Sequence, residues 1–160
     1  ETSIIALYYY NGGYILDEIL YQKGLSNKQI ADQFANLDRA LVIADSAEPK
    51  SIDEIKSFGI NIVGAEKGKD SVKYGIQTVQ AQKISLTKRS VNGIKEYRNY
   101  LWETDNDGRI LNVPIDMFNH FLDASRYAFM SLIPIQRRNE IIRAMNNRYF
   151  PNQKSVNPAR

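Results

Sequence analysis

The chain has 160 residues, a formal net charge of +3 and no cysteine. Without thiols it can hold no disulfide framework, no thiolate-ligated metal and no cysteine nucleophile. No apolar run approaches the roughly 20 residues of a membrane-spanning helix, and no signal peptide is visible at the start. One domain of this length can bury roughly 70% of the surface its unfolded chain exposes, so it needs no staple to fold.

Ser3 to Tyr10 is rich in β-branched and aromatic residues and reads as a strand. Asn11-Gly12-Gly13 is a hairpin turn signal, and Tyr14 to Tyr21 reads as the antiparallel partner. The first strand opens so abruptly that we expect further residues upstream. Ser26-Asn27-Lys28-Gln29 is a capping box opening a helix to about Leu37, with Ile30, Phe34 and Leu37 on one face. Leu41 to Ala44 is a short continuous apolar run, the signature of a central strand covered on both faces. Ser51-Ile52-Asp53-Glu54 repeats the capping-box pattern for a helix that ends before Gly59. A strand follows at Ile60 to Val63, a helix from Asp70 or Ser71 to about Gln80, and a strand at Ile84 to Leu86. Val91 to Trp102 reads as helical. Asp105-Asn106-Asp107-Gly108 is a turn, and Pro114 precedes a helix from about Asp116 to Leu132 that Pro134 should stop. A last amphipathic segment runs from Ile135 to about Asn147. This order suggests an α/β fold with a mixed central sheet flanked by helices, and ligands on such sheets gather at the carboxyl ends of strands.

Charge divides the chain. Residues 134–160 carry six cations against Glu140 alone, a net +5, whereas residues 1–133 sum to −2. The expected division is a body over 1–133 and a basic tail over 134–160, which either touches a polyanion or is simply a solvated terminus.

Three residues stand out for chemistry. Asp45 directly follows the Leu41–Ala44 strand, where catalytic carboxylates emerge; an Asx turn or helix cap at the same junction fits equally well. His120, the only histidine, lies one helical turn before Asp123, so both face the same way. Two carboxylates and an imidazole suit Mn²⁺ or Mg²⁺. The plain alternative is a core histidine, with Asp123 paired to Arg126. Gly64-Ala65-Glu66-Lys67-Gly68-Lys69 is no phosphate-binding loop, because only three residues separate the glycines and Asp70 follows the lysine. Asp17 and Glu18 point to opposite sheet faces, and both read as solvent-exposed. Tyr8, Tyr9, Tyr10 and Trp102 read as core or interface aromatics, and one histidine among several serines defines no catalytic triad.

Three segments, in order, resemble the C-terminal nuclease domain of the large terminase subunit of tailed bacteriophages. They are Ala44-Asp45-Ser46-Ala47-Glu48-Pro49-Lys50, then Lys67-Gly68-Lys69-Asp70-Ser71-Val72-Lys73-Tyr74-Gly75-Ile76, and then Asp107-Gly108 through Asn112-Val113-Pro114-Ile115-Asp116 to Asn119-His120-Phe121-Leu122-Asp123-Ala124-Ser125-Arg126-Tyr127-Ala128. The resemblance implies a ribonuclease H-like fold and a metal-dependent endonuclease that cuts concatemeric double-stranded phage DNA during genome packaging, in the host-cell cytoplasm. It implies two divalent ions held by Asp45, His120 and Asp123, with Lys67, Lys88, Arg89 and Arg98 as contacts to DNA phosphates. The family's further acid lies on a strand preceding Glu1, so the resemblance also implies a metal site one ligand short here. By the same resemblance the partners are the terminase small subunit, the portal protein and an N-terminal ATPase motor domain, and residues from about Thr87 to Pro114 match a region that forms an auxiliary hairpin. Two rivals remain at this point: another ribonuclease H-like enzyme, such as a resolvase or transposase core, and a non-enzymatic DNA- or portal-docking module whose acids merely cap helices.

Overall fold

The structure is a computed structural model, and it describes residues 1–68, 71–114 and 119–132. The chain opens on a hairpin of β1 (Thr2–Tyr10) and β2 (Gly13–Gln22). Asn11 and Gly12 both take positive φ, 48° and 74°, the pair of values a two-residue I′ turn demands. One bulge interrupts the pairing, between Ile4 and Ile5. Next come α1 (Asn27–Ala35), β3 (Val42–Ala44), α2 (Pro49–Ser57), β4 (Ile62–Gly64), α3 (Ser71–Gln80), β5 (Ile84–Leu86) and α4 (Val91–Asn99). A second hairpin, β6 (Trp102–Thr104) and β7 (Ile110–Pro114), precedes a helix over residues 120–132, here α5. Antiparallel β1–β2 and parallel β2–β5 make one sheet; β3 and β4 pair in parallel; β6 and β7 pair antiparallel. The α/β class with mixed strand directions is as the sequence suggests.

Two apolar clusters hold these parts. Tyr14 and Leu16 of β2 meet Phe121 and Phe129 of α5, joined by Val79 of α3 and by Ile84 and Leu86 of β5. Alternate β2 residues share a sheet face, so α5 lies across that face. Ala31, Ile55 and Ile62 form the second cluster, which packs α1 and α2 against β3 and β4.

Several local expectations are corrected. The helix α2 begins at Pro49, two residues before the apparent capping box, because proline presets a helical φ and gives up an N–H that has no partner at N1. Ser51 therefore falls inside the first turn, where its hydroxyl meets the Glu48 carboxylate at 3.2 Å. By contrast, the Ser26–Gln29 capping box forms with both of its reciprocal bonds. The helix α4 ends at Asn99, and Trp102 belongs to β6, where it pairs with Pro114 across the hairpin. The strand β3 is half-buried and pairs only with β4 among the described residues, so it is not the doubly covered central strand its apolar run suggested. Tyr8, Tyr9 and Tyr10 are exposed rather than core residues. The segment from Ile135 to Asn147 and the basic tail lie outside the described residues.

Gly93 is where α4 meets α5. A Cβ there would sit 2.7 Å from the ring of Phe121, which is fully buried and has no flexible end to move aside. Gly93→Ala gains about 1 kcal/mol of helix propensity and loses about 1–3 kcal/mol to overpacking. We expect a net fall in stability, read as a lower urea midpoint at unchanged m-value; a rise would mean that Phe121 can yield.

Candidate metal centre

Parallel neighbours end at the same rim, and this is what brings Asp45 and Lys67 together. Ala44 pairs with Gly64, and the Ala65 N–H extends the ladder to the Ala44 carbonyl at 2.7 Å. Asp45 leaves β3 and Lys67 follows β4 at that edge. Asp45 Oδ1 accepts from the Ala47 N–H at 2.8 Å, closing an Asx turn, and also from the Lys67 ammonium. Its Oδ2 accepts from the Tyr127 hydroxyl of α5 at 3.1 Å. The Asx turn that the junction allows is formed by Oδ1, and the second carboxylate oxygen faces α5. Partial burial works to raise its pKa, but Lys67, the Ala47 amide and Tyr127 together hold it below the ordinary aspartate value.

On α5, Asp123 accepts from Arg126 Nη2 at 2.8 Å and Nε at 3.3 Å. The Arg126 guanidinium lies 4.6 Å from the centroid of the Tyr127 ring, and the Lys67 ammonium lies 5.4 Å from the same centroid. Tyr127 therefore links the two acids through a continuous chain of contacts, Asp45–Tyr127–Arg126–Asp123. Each carboxylate has an internal cation beside it, which is the charge a divalent ion would otherwise supply.

His120 is held elsewhere. Its Nε2 stands 3.0 Å from Glu1 Oε2, and its ring packs edge-on to Tyr21 at 6.1 Å between centroids. Among the described residues no group of three or more His, Asp or Glu side chains is gathered closely enough to hold a metal ion. The donor chemistry of Asp45, Asp123 and His120 fits Mn²⁺ or Mg²⁺. The structure links Asp45 to Asp123 through Tyr127 and leaves His120 on a separate contact.

The expected phosphate-binding cations differ in their surroundings. Lys67 is committed to Asp45. Arg89 grips Asp17 with two nitrogens, although its guanidinium remains largely exposed. Lys88 is exposed, and Arg98 lines a shallow groove on α4 with Val91 and Lys95.

Asp17 and Glu18 are both corrections to the solvent-exposed reading. Asp17 is buried and accepts from Arg89 Nε and from the Thr87 hydroxyl, each at 2.7 Å. Glu18 is half-buried; it accepts from the Gly93 N–H at 2.9 Å and from Asn92 at 2.7 Å, which ties the start of α4 to β2. The Arg89 guanidinium, helped by Thr87 and opposed by burial, holds the Asp17 carboxyl below its usual range. A pKa lowered on folding adds stability that is complete above the unfolded value, about 3.9, and is lost as pH falls through the folded value. Urea midpoints should therefore drop between about pH 5 and pH 3, and Asp17→Asn should flatten that slope.

Two residues of this neighbourhood escape a reading of the sequence. Tyr127 lies four residues after Asp123 and seven after His120, the spacing that places all three on one helical face. Glu96 offers no comparable signal, because an acid in an amphipathic helix ordinarily faces water.

Strands paired in both directions, with a helix packed on one sheet face and an aspartate at a strand's carboxyl end joined to that acid-bearing helix, make this an α/β domain with two carboxylates linked at its rim. Residues 5–131 match the family described as Terminase RNAseH like domain, and the chain belongs to that family. It is 38% identical over 122 residues to the large terminase subunit of Bacillus phage SPP1, covering 72% of this chain and 29% of that protein. It is 30% identical over 111 residues to the PBSX phage terminase large subunit of Bacillus subtilis, covering 68% of this chain and 26% of that protein. The chain thus spans less than a third of the length of these two relatives. Among solved structures, the SPP1 large terminase nuclease domain with bound Mn superposes with a TM-score of 0.66 at 30% identity, over 83% of this chain and 88% of that one. The large terminase of a thermophilic bacteriophage matches in fold, with a TM-score of 0.64 at 20% identity over 82% of this chain and 36% of that one.

Proposed function

We propose that this domain is a divalent-metal-dependent endonuclease that cuts concatemeric double-stranded phage DNA during genome packaging, in the host-cell cytoplasm. The observation that carries the proposal is the match over 88% of a terminase nuclease domain with bound Mn, combined with an aspartate at a strand end tied to an acid-bearing helix. In this reading Asp45 is the principal metal-binding carboxylate, Asp123 a second, and His120 a further ligand or a group that orients or carries a proton. Bound divalent ions, a pair of them in the full proposal, supply the Lewis acidity that activates water and neutralises the leaving oxygen.

The chain's own residues prepare that chemistry. Lys67, Ala47 and Tyr127 keep Asp45 ionised, so it is an acceptor at neutral pH. Tyr127 fixes the direction of its Oδ2 lone pairs toward α5. Lys67, which pairs with Asp45 here, would with Lys88, Arg89 and Arg98 supply the cations that hold the DNA backbone without reading sequence. The small subunit, the portal protein and an ATPase motor domain belong to the same proposal as partners.

One observation favours a second reading, a docking module without catalysis: no three-ligand cluster forms among the described residues. Incubation of supercoiled plasmid with the chain and Mn²⁺ decides between them. The nuclease produces nicked and linear DNA, is silenced by chelator and shows little sequence preference. The docking module binds DNA in a salt-sensitive manner and leaves it intact.

A further inference from the structure

Glu96 is the most deeply buried carboxylate described in the molecule, 2% exposed, and no step proposed above uses it. Every bond it makes leads to α5 or to the strand beneath. Its Oε2 accepts from the backbone N–H groups of Phe121 and Leu122, at 2.8 and 3.1 Å, and its Oε1 accepts from the Tyr21 hydroxyl at 2.8 Å. The first N–H groups of a helix have no partner within the helix and carry the positive end of its dipole. Such caps are ordinarily supplied by the residue just before the helix. Here the cap comes from 25 residues upstream, out of a different helix, and is a carboxyl side chain.

The two capped amides immediately follow His120 and immediately precede Asp123. Burial and the neighbouring Glu96 carboxylate push the Tyr21 hydroxyl pKa up, so Tyr21 remains a donor to Glu96 throughout the physiological range. Tyr21 also packs against the His120 ring. Glu18, in turn, ties the N-terminal turn of α4 to β2 through Gly93 and Asn92. The first turn of α5 is thus fixed to the sheet through α4 by two carboxylates in series.

We infer that Glu96 is a positioning residue: it sets the rotation and height of the first turn of α5 so that His120 and Asp123 present their donor atoms to the divalent ion. This inference rests on the metal-dependent nuclease reading. Groups that orient metal ligands from behind change metal affinity about 10–100-fold when altered.

The lone histidine makes the test direct, because His120 gives one imidazole ¹Hε1–¹³Cε1 resonance in the labelled chain. Mn²⁺ bound beside it broadens that resonance, and the Mn²⁺ concentration for half-broadening reads the site without any cleavage assay. Glu96→Gln keeps the shape and one acceptor but removes the charge. We expect its half-broadening concentration to rise about tenfold, with the Phe121 and Leu122 amide protons shifting upfield before metal is added. Phe129→Leu serves as the control: it weakens the same helix without touching Glu96, and should leave the Mn²⁺ midpoint of the folded fraction unchanged. If Glu96→Gln matches the wild-type midpoint, or if Phe129→Leu raises it equally, the positioning role is overturned while the metal site stands. If Mn²⁺ never broadens His120 in the wild-type chain, the nuclease site itself falls, and the role assigned to Glu96 falls with it.

Discussion

Asp45→Ala is expected to abolish Mn²⁺-dependent cleavage of plasmid DNA while leaving the fold intact. Asp45 lies at the sheet rim with its side chain half-exposed. Its bonds to Lys67 and Ala47 stay at the rim of β3 and β4, and its single 3.1 Å bond to Tyr127 is the one that reaches across to α5, outside both apolar clusters. An exposed ion pair is worth about 0–1 kcal/mol, so the urea midpoint should move little. The chemistry has no such reserve. Removing the principal carboxylate from a metal-assisted hydrolysis should cost about 4 kcal/mol of transition-state stabilisation or more, about a thousandfold in rate. Asp45→Asn sharpens the test. The amide oxygen can still accept from the Ala47 N–H, and the amide nitrogen in the other position can donate to the Tyr127 hydroxyl oxygen, so the local geometry persists while the charge is gone. Equal loss in both variants assigns the effect to the carboxylate charge; cutting retained by either one removes Asp45 from the mechanism.

Asp45 also shows how far a sequence can be read. A four-residue apolar run ending in an acid marks a strand terminus, and the residue is legible for that reason. Its partners are not. Lys67 reaches it because β3 and β4 run in parallel register, and Tyr127 reaches it because α5 lies across the sheet; neither fact is written in local spacing. Asp123 is the opposite case, since its bond to Arg126 is an i,i+3 contact that the helix period alone anticipates.

Local elements divide the same way. The Asn11-Gly12 turn and the Ser26 capping box are short-range devices with one low-energy solution, and both appear as expected. Where two local signals compete, the stiffer one wins: Pro49 overrides the Ser51 capping pattern because its φ is set covalently. Tyr100, Leu101 and Trp102 extend the helical pattern of α4, yet the last of these joins β6, because hairpin pairing with β7 can decide the state of an aromatic residue that suits either. The acids withdrawn from water, Asp17, Glu18 and Glu96, are the least legible of all. Their default reading is solvent, and only tertiary partners offset the cost of taking a carboxylate inside.

The greatest loss of stability is expected from Phe129→Ala. Phe129 is fully buried on α5 and meets Tyr14 of β2 edge-to-face, with centroids 4.9 Å apart and ring planes at 86°. Truncating such a residue costs about 3–5 kcal/mol, the transfer term together with the cavity left behind. Against a typical total of about 5–15 kcal/mol, this should lower the melting temperature by roughly 10 °C for a domain of this size. Urea unfolding checks the value, and an unmoved midpoint would mean that α5 is not seated on β2. The consequence reaches the proposed site, because α5 carries His120, Asp123 and Tyr127. Phe129→Ala should therefore lose cutting as temperature rises and recover it on cooling, in step with the folded fraction. Asp45→Ala should lose it at every temperature with the fold unchanged. Two variants silent in the same assay at 37 °C are thus separated by circular dichroism, which assigns one loss to the seating of the helix and the other to the carboxylate it faces.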